Sequence, residues 1–211
     1  MLELRGMKRA LTITDIRRYK AQTYLLDGGL AASLGEVELT GSWIVWGGSA
    51  NGKTRFALQL AKALAHHVRV AYDSLEEGMS LSMRHAIEDV GFADVKRNFI
   101  LLDGEGVEEL RERLKRQRSP KVVIIDSLQY TGLTYSDYKA LRDEFRNKLF
   151  IFVSHADGRN PKGAVANSVK YDAFVKIYVE GYRAYPQSRF GGGEPYTIWE
   201  EGAEKYGLTH Y

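Results

Sequence analysis

One short segment of the chain has the residue types and spacing that bind a polyphosphate. Residues 47–54 fit the pattern G-x-x-x-x-G-K-[ST], in which glycines let the backbone curl and point its N–H groups at phosphate oxygens. The lysine of this pattern reaches the terminal phosphates, and the hydroxyl that follows can hold Mg²⁺. The predicted nucleotide-binding residues are Gly47, Gly48, Ser49, Ala50, Asn51, Gly52, Lys53, Thr54 and Arg55.

The elements on both sides of this segment have the order that phosphate binding requires. Residues 42–46 form a β-branched and aromatic run that predicts a buried strand, and residues 55–64 have the apolar periodicity of a helix. The N-terminus of that helix would add its partial positive charge to the site. A chance match in a glycine-rich loop would not explain the strand–loop–helix order. The chain is therefore predicted to bind a nucleoside triphosphate.

A second motif supplies the carboxylate that a bound metal ion needs. Four apolar residues, Val122 to Ile125, predict a strand in the middle of a parallel sheet, and Asp126 follows at its carboxyl end. Ligands of open α/β sheets bind beyond the carboxyl ends of the strands, so Asp126 should meet the phosphate-binding segment there. Thr54 and Asp126 are the predicted Mg²⁺ residues. Alternatively, Asp126 only begins a turn.

A third group of acidic residues follows the strand predicted at residues 68–72. Asp73, Glu76 and Glu77 stand just beyond it. Hydrolysis of a triphosphate needs a base that orients the attacking water, whereas a kinase would activate a substrate hydroxyl instead. The alternative interpretation of this stretch is a solvated acidic turn.

Composition restricts the remaining possibilities only broadly. The chain has 211 residues, a net charge of +3 and no cysteine, which excludes disulfides, thiol nucleophiles and cysteine metal sites. A weakly basic charge does not by itself indicate nucleic acid, so a polyanion would have to bind a local patch. Residues 1–8 lack an apolar signal-peptide core, and no stretch has the length of a membrane span. A cytoplasmic protein without a membrane contact is expected.

The order of predicted elements indicates an α/β fold. Apolar strands alternate with helix-length segments and lie at residues 43–46, 68–72, 99–102, 122–125 and 149–153. This order predicts a mostly parallel, doubly wound sheet with helices on both faces. Residues 173–180 and 196–201 predict an antiparallel hairpin added at the sheet edge. Residues 1–40 are predicted to be a lead-in segment, and residues 41–211 the domain.

Taken together, these motifs resemble the RecA-like ATPases, which include the DnaB-type replicative helicases. The resemblance spans residues 40–201 and implies a RecA-like core that hydrolyses ATP with Mg²⁺. It implies that Glu76 polarises the attacking water, a role that Glu77 could share. It also implies that His155, which follows the strand Phe152–Ser154, senses the γ-phosphate. Lys53, Glu76 and His155 are thus predicted catalytic residues.

The resemblance also implies a contribution from a neighbouring subunit. The helicase branch carries Lys-x-Arg-x-Gly at a turn, and its arginine reaches the nucleotide of the next subunit. Arg189 matches this arginine and is the fourth predicted catalytic residue, while Gln187 stands where the lysine would be. Arg183 is a possible substitute. Self-association into a ring or filament is therefore expected.

Residues 156–170 form a long, basic segment that the sequence predicts to be an irregular loop. Such loops are functional or disordered, and this one has the position of the second DNA-binding loop of the RecA-like family. Arg159, Lys162 and Lys170 are the predicted nucleic-acid contacts, and nearby tyrosines suit stacking with single-stranded DNA. Alternatively, these charges are solvated and the tyrosines pack.

The predicted function is that of a RecA-core protein that couples Mg-ATP hydrolysis to single-stranded DNA in recombination, repair or replication. A hexameric DnaB-like helicase motor shares the same core and is one alternative. A regulatory ATP-binding switch without nucleic acid is another. A small-molecule kinase is disfavoured, because residues 111–118 read as a helix face rather than as an arginine-rich lid.

Overall fold

A long, twisted sheet forms the centre of the molecule and carries helices on both faces. The structure is a computed structural model that describes residues 10–209, without the side chain of Thr209. The strands are β1 (Thr23–Leu25), β2 (Glu36–Glu38), β3 (Gly41–Gly47), β4 (Val70–Ser74), β5 (Phe99–Leu102), β6 (Val122–Asp126), β7 (Leu149–Asp157), β8 (Asn160–Pro161), β9 (Val175–Glu180), β10 (Arg183–Ser188) and β11 (Tyr196–Thr197). The helices are α1 (Ile13–Arg18), α2 (Gly29–Leu34), α3 (Lys53–Ala65), α4 (Leu81–Val90), α5 (Val107–Lys115), α6 (Tyr135–Glu144), α7 (Ala164–Asp172) and α8 (Glu200–Thr209).

The main sheet confirms the predicted mostly parallel architecture with an antiparallel hairpin at one edge. Its strand order is β11-β10-β9-β3-β7-β6-β4-β5, and β8 pairs with β7. All neighbours from β9 to β5 in this order pair in parallel. The two edge strands β10 and β11 run antiparallel. The carboxyl ends of β3, β7, β6 and β4 therefore meet at one edge of the sheet.

Alternate side chains of the central strands enter two separate apolar cores. In β3, Trp43 and Val45 pack in the core beneath α3, whereas Ile44 and Trp46 pack in the core on the opposite face. All four are buried almost completely, since both faces of a parallel sheet are covered. This is why the central strands are continuous apolar runs in the sequence rather than alternating ones.

The segment before the main sheet contributes to one of these cores. Leu26, Leu30, Leu34 and Val37 are buried in the core beneath α3. Helix α1, in contrast, has no buried residue. The predicted lead-in segment thus combines an exposed helix with residues that belong to the packed body.

Three local predictions were wrong. The segment at residues 156–170 is not a long irregular loop, because residues from Ala164 onward form α7 and Asn160–Pro161 pairs with the end of β7. Residues 196–201 are not a strand, because only Tyr196–Thr197 pairs and Glu200 begins α8. The hairpin partner of β9 is therefore β10, whose first residue lies opposite Glu180.

Candidate functional site

The phosphate-binding segment connects β3 to α3 with the geometry that its sequence predicts. Gly52 has a φ of 93° and precedes Lys53, the first residue of α3. Such a φ favours glycine. Gly47 lies so close to β9 that a Cβ on it would come within 2.1 Å of the carbonyl oxygen of Val179. The loop thus needs glycine at both ends, and its backbone leads directly into the helix N-terminus.

Lys53 extends over this loop. Its Nζ donates to the carbonyl oxygen of Gly48 at 2.8 Å. Burial lowers the pKa of Lys53, and the carboxylates of Asp126 and Glu76 partly offset this shift. An ammonium group in this environment is short of countercharge, so a polyphosphate placed in the loop would stabilise it.

Asp126 meets Thr54 at the carboxyl end of β6, as predicted. Thr54 Oγ1 donates to Asp126 Oδ2 at 3.2 Å, and the buried hydroxyl of Tyr72 donates to the same oxygen. Burial raises the pKa of Asp126, while these two hydroxyl donors lower it. One hydroxyl and one carboxylate fit Mg²⁺, which uses few protein ligands when it also binds phosphates and water. Among residues 10–209, no three His, Cys, Asp or Glu residues form a separate metal cluster.

The structure separates the two candidate bases. Glu76 Oε2 lies 3.3 Å from His155 Nε2, inside the same cleft as Lys53. Glu77 also borders the cleft, but its Oε2 accepts from Ser82 Oγ at 2.6 Å, at the start of α4. Of the two carboxylates, Glu76 is therefore the one that pairs with His155.

These groups border one cleft of about 330 Å³. Its polar lining comes from four neighbouring strand ends and from the start of α3, and includes Ser49, Lys53, Thr54, Glu76, Asp126 and His155. Strand pairing explains this convergence, because Gly47 lies beside His155 and Ser74 lies beside Asp126. Side chains that are far apart in sequence thus meet at one sheet edge.

Sequence reasoning missed a glutamine that holds His155 in place. The amide of Gln129 donates to Ser154 Oγ at 2.8 Å and to the carbonyl of Lys162 at 2.9 Å. Its Oε1 accepts from the backbone N–H of His155 at 3.2 Å. Gln129 thus connects the turn after β6, the end of β7 and the segment that precedes α7. No pattern near Gln129 indicates these contacts, since its partners are more than 20 residues away.

Sequence reasoning also missed the aromatic border of the cleft. Tyr182 lines the cleft beside Arg55 and forms an edge contact with Trp199, with ring centroids 5.2 Å apart. The guanidinium of Arg55 lies over the same Trp199 ring, 5.8 Å from its centroid. Arg55, which was predicted from its place after the loop, therefore faces the aromatic side of the cleft.

The three predicted nucleic-acid contacts lie together near the end of β7. The indole N–H of Trp46 donates to the carbonyl of Arg159 at 3.1 Å. Lys170 Nζ lies 4.6 Å from the centroid of the Trp46 ring and donates to Asn160 Oδ1 at 3.0 Å. Lys162 is joined to His155 through a backbone hydrogen bond of 2.8 Å. Arg159 and Lys162 are exposed, whereas Lys170 is half-buried on α7.

Arg189 lies apart from the cleft of its own chain. Strand β10 leads away from the cleft, because Arg183 pairs opposite Glu180 and Ser188 pairs opposite Val175, the first residue of β9. At about 3.3 Å per residue, this run places Arg189 roughly 20 Å from the phosphate loop. Its guanidinium packs over the ring of Phe174, 4.9 Å from the centroid. Arg183 lies at the cleft end of β10 and is exposed.

A buried acid beside the cleft makes stability depend on pH. Asp73 accepts from the backbone N–H of Glu105, and burial raises the pKa of Asp73 from 3.8 to about 7. The folded protein holds this proton more tightly than the unfolded chain. The contribution of Asp73 to the free energy of unfolding therefore decreases as the pH rises from about 4 to about 7.

We expect Asp73→Asn to remove this part of the pH dependence. The amide keeps an oxygen for the N–H of Glu105 and cannot ionise. When the pH rises from 5 to 8, the free energy of unfolding of the parent should fall relative to that of the variant. The difference should be about 2 kcal/mol, allowing for solvent screening. Urea unfolding at both pH values measures this, with the exposed Asp157→Asn as control. Equal pH dependence in parent and Asp73→Asn would contradict the assignment.

Comparison with solved structures identifies the fold. The chain superimposes on the flagellar accessory protein FlaH from Methanocaldococcus jannaschii with a TM-score of 0.58 and 15% identity, covering 76% of this chain and 84% of FlaH. It superimposes on a KaiC-like protein from Pyrococcus horikoshii OT3 with a TM-score of 0.51 and 16% identity, covering 77% and 86% of the two chains. The protein therefore has the RecA-like P-loop fold, as its motifs predicted.

Sequence comparison adds nothing to this likeness. No protein-family profile and no curated protein sequence matches the chain. Within residues 10–209, none of the helices combines the length and apolar character needed to cross a bilayer.

Proposed function

We propose that the protein binds Mg-ATP in the cleft and hydrolyses it. The observation that carries this proposal is the convergence of Lys53, Thr54, Asp126 and Glu76 on one cleft at the carboxyl edge of the sheet. These are the parts that phosphoryl transfer to water requires, namely a phosphate cradle, a metal site and a base. The RecA-like fold supports the same conclusion.

Each residue has a separate task in this proposal. The loop N–H groups and Lys53 bind the phosphates, with the N-terminus of α3 behind them. Thr54 and Asp126 would hold Mg²⁺, which when bound neutralises charge on the phosphate oxygens. Glu76 accepts a hydrogen bond from the attacking water and orients it. His155 lies 3.3 Å from Glu76 and would contact the γ-phosphate from the neighbouring strand.

We further propose that hydrolysis is coupled to single-stranded DNA, in recombination, repair or replication. Arg159 and Lys162 supply exposed positive charge next to His155. The backbone hydrogen bond between Lys162 and His155, together with the contacts of Gln129, would connect a phosphodiester bound at Lys162 to His155 in the cleft. Single strands are favoured because these contacts lie on a turn and strand ends rather than on a groove-reading helix.

Self-association into a ring or filament is the third part of the proposal. Arg189 lies at the sheet edge opposite its own cleft, so only another copy of the chain could present it to a nucleotide. In that arrangement its guanidinium would stabilise charge on the transferring phosphoryl group. Arg183, at the cleft end of the same strand, is the alternative donor.

Phosphate release from ATP, with and without single-stranded DNA, tests the proposal. We expect release that depends on Mg²⁺, is stimulated by DNA, and loses the stimulation as salt rises, because salt competes for the phosphate contacts. Hydrolysis that is indifferent to DNA at every salt concentration would refute the coupling. No release and no nucleotide binding would refute the whole proposal.

We expect Arg159→Ala combined with Lys162→Ala to weaken DNA binding without weakening ATP binding. Two phosphate contacts would be lost, so the slope of log affinity against log salt should become shallower by about 1.4 for a single strand. Changing the exposed pair Lys96 and Arg97 to alanine is a matched control. It removes the same number of positive charges, but from the segment just before β5. Fluorescence anisotropy with labelled DNA at several salt concentrations measures the slope. Equal slopes for the two double variants would contradict the assignment.

A regulatory ATP-binding switch without nucleic acid is the second candidate. It is favoured by the folding of residues from Ala164 onward into α7, which leaves only a short exposed segment for DNA. The names of the two structural neighbours refer to an archaeal flagellar accessory protein and to a KaiC-like protein, and neither refers to DNA. ATP binding with slow hydrolysis that DNA leaves unchanged would favour this second function.

A further inference from the structure

The phosphate loop is attached to the C-terminal part of the chain by one side chain. Asn51 Oδ1 accepts from the backbone N–H of Gly181 at 2.7 Å, and the carbonyl of Asn51 accepts from the N–H of Tyr182 at 3.3 Å. The amide of Asn51 also donates to the carbonyl of Ser49 at 3.0 Å, inside the loop. Asn51 therefore fixes the middle of the loop to the turn between β9 and β10, here called the hairpin tip (Gly181–Tyr182).

The hairpin tip has a backbone conformation that needs support. Gly181 and Tyr182 have φ angles of 54° and 58°, as in the tight turns that join two-residue hairpins. For a tyrosine this conformation costs about 1 kcal/mol. The Tyr182 carbonyl accepts from the N–H of Ile198 at 2.9 Å, and the Tyr182 ring contacts Gly52 and Trp199. Residues from two other parts of the chain, the phosphate loop and the segment just before α8, thus support it.

Helix α8 packs closely on the hairpin tip at two glycines, Gly181 in the tip and Gly202 in the helix. A Cβ on Gly181 would lie 2.4 Å from the ring of Tyr206. A Cβ on Gly202 would lie 2.3 Å from the ring of Trp199 and 2.8 Å from the ring of Tyr182. Gly202 and Tyr206 lie four residues apart on one face of α8, and Trp199 immediately precedes the helix. That face of α8 therefore packs directly on the hairpin tip.

We propose that α8 positions the phosphate loop, by holding the hairpin tip that in turn holds Asn51, and so sets the affinity of the cleft for the triphosphate. This inference rests on the proposed ATP binding. Trp199, Gly202 and Tyr206 are positioning residues in it, because they act on the nucleotide through Tyr182 and Asn51. Glu76 follows a different strand, β4, and its backbone N–H donates to the carbonyl of Asp126 rather than to the hairpin tip.

Two glycines of α8 provide a matched test. Gly202→Ala adds a methyl group where Trp199 and Tyr182 pack, whereas Gly207→Ala adds one where nothing lies within 4 Å. Both changes replace a helical glycine by a better helix former, which favours helix formation by up to about 1 kcal/mol. We expect Gly202→Ala to raise the Kd and KM for ATP roughly tenfold, because a small displacement of the loop weakens phosphate binding, with kcat nearly unchanged. Gly207→Ala should behave as the parent.

Amide hydrogen exchange of residues 47–54 gives a readout that needs no nucleotide. Faster exchange of this segment in Gly202→Ala, but not in Gly207→Ala, is expected whether or not the parent hydrolyses ATP. A parent that binds no ATP would therefore refute the proposed function, and unchanged exchange in a folded Gly202→Ala would refute the positioning role. A folded Gly202→Ala that binds ATP as tightly as the parent would also overturn it.

A second variant covers the case in which Gly202→Ala fails to fold. Asn51→Ala removes the acceptor for the N–H of Gly181 from the loop side and leaves α8 intact. We expect it to raise the Kd for ATP and the exchange rate of residues 47–54 in the same direction. Where both single variants fold, the double variant Asn51→Ala with Gly202→Ala should bind ATP no more weakly than Asn51→Ala alone. Additive losses would mean that the two residues act separately, which would overturn the inference.

Discussion

Replacing Lys53 with alanine should abolish most of the affinity for ATP while the protein stays folded. Charge-assisted bonds to phosphate contribute about 1.5–3 kcal/mol each, and Lys53 would make two of them, so the Kd should rise roughly a hundredfold or more. Stability should hardly change, because within residues 10–209 the ammonium group hydrogen-bonds to the Gly48 carbonyl alone and burial already disfavours its charge. Isothermal titration with ATP, together with a melting curve, measures both effects.

Lys62→Ala is the matched control for this change. Lys62 lies on the same helix but donates to the carbonyl of Val90 and faces Asp94, away from the phosphate loop. It should bind ATP as the parent does, with a small loss of stability. If Lys53→Ala bound ATP no more weakly than Lys62→Ala, the phosphate-binding role of Lys53 would be wrong.

The central sheet could be predicted because its strands are continuous apolar runs. The strand predicted at residues 99–102 has the same bounds as β5, and the run before Asp126 became β6. Both faces of these strands are buried, so their sequences contain no polar interruption. The phosphate loop could be predicted for a related reason, since the groups proposed to bind phosphate belong to consecutive residues, from Gly47 to Thr54.

The C-terminal third was harder to predict because its local signals conflict with its packing. Tyr196 to Trp199 has high β-propensity, yet only two residues pair and the acidic pair at Glu200 and Glu201 begins α8. Glycines and Pro161 around residues 158–163 indicate a loop, and the small residues of α7 give it only a weak apolar face. The helical structure of this segment is therefore stabilised by the packing of α7 against β3 and α6.

Residues of the site could be predicted where a single motif positions the side chain. They could not be predicted where the position depends on contacts between several elements. Asp126 could be placed from its strand alone. The choice between Glu76 and Glu77 required the structure, because it depends on which side chain turns toward His155 and which toward Ser82. Gln129 and Tyr182 had no local signal at all, since their partners lie in distant parts of the sequence.

Replacing Glu76 with glutamine should stop hydrolysis and leave ATP binding intact. Glutamine keeps the shape of the side chain and a hydrogen bond to His155, but it is a much weaker acceptor for the proton of the attacking water. A positioned base contributes about 10²–10⁴-fold to the rate, so kcat should fall by that factor. The Kd for ATP should stay within about threefold of the parent value, because the phosphates are bound by Lys53 and the loop.

Glu77→Gln separates the base assignment from the loss of one negative charge. It removes the same charge one residue away, from a carboxylate that accepts from Ser82 on α4. Its kcat should remain within a few-fold of the parent, because phosphate release depends on the carboxylate beside His155 rather than on total charge. Single-turnover phosphate release at saturating ATP compares the three proteins directly. Parent-like release by Glu76→Gln together with a collapse in Glu77→Gln would transfer the base role to Glu77, whereas a collapse in Glu76→Gln alone would establish it at Glu76.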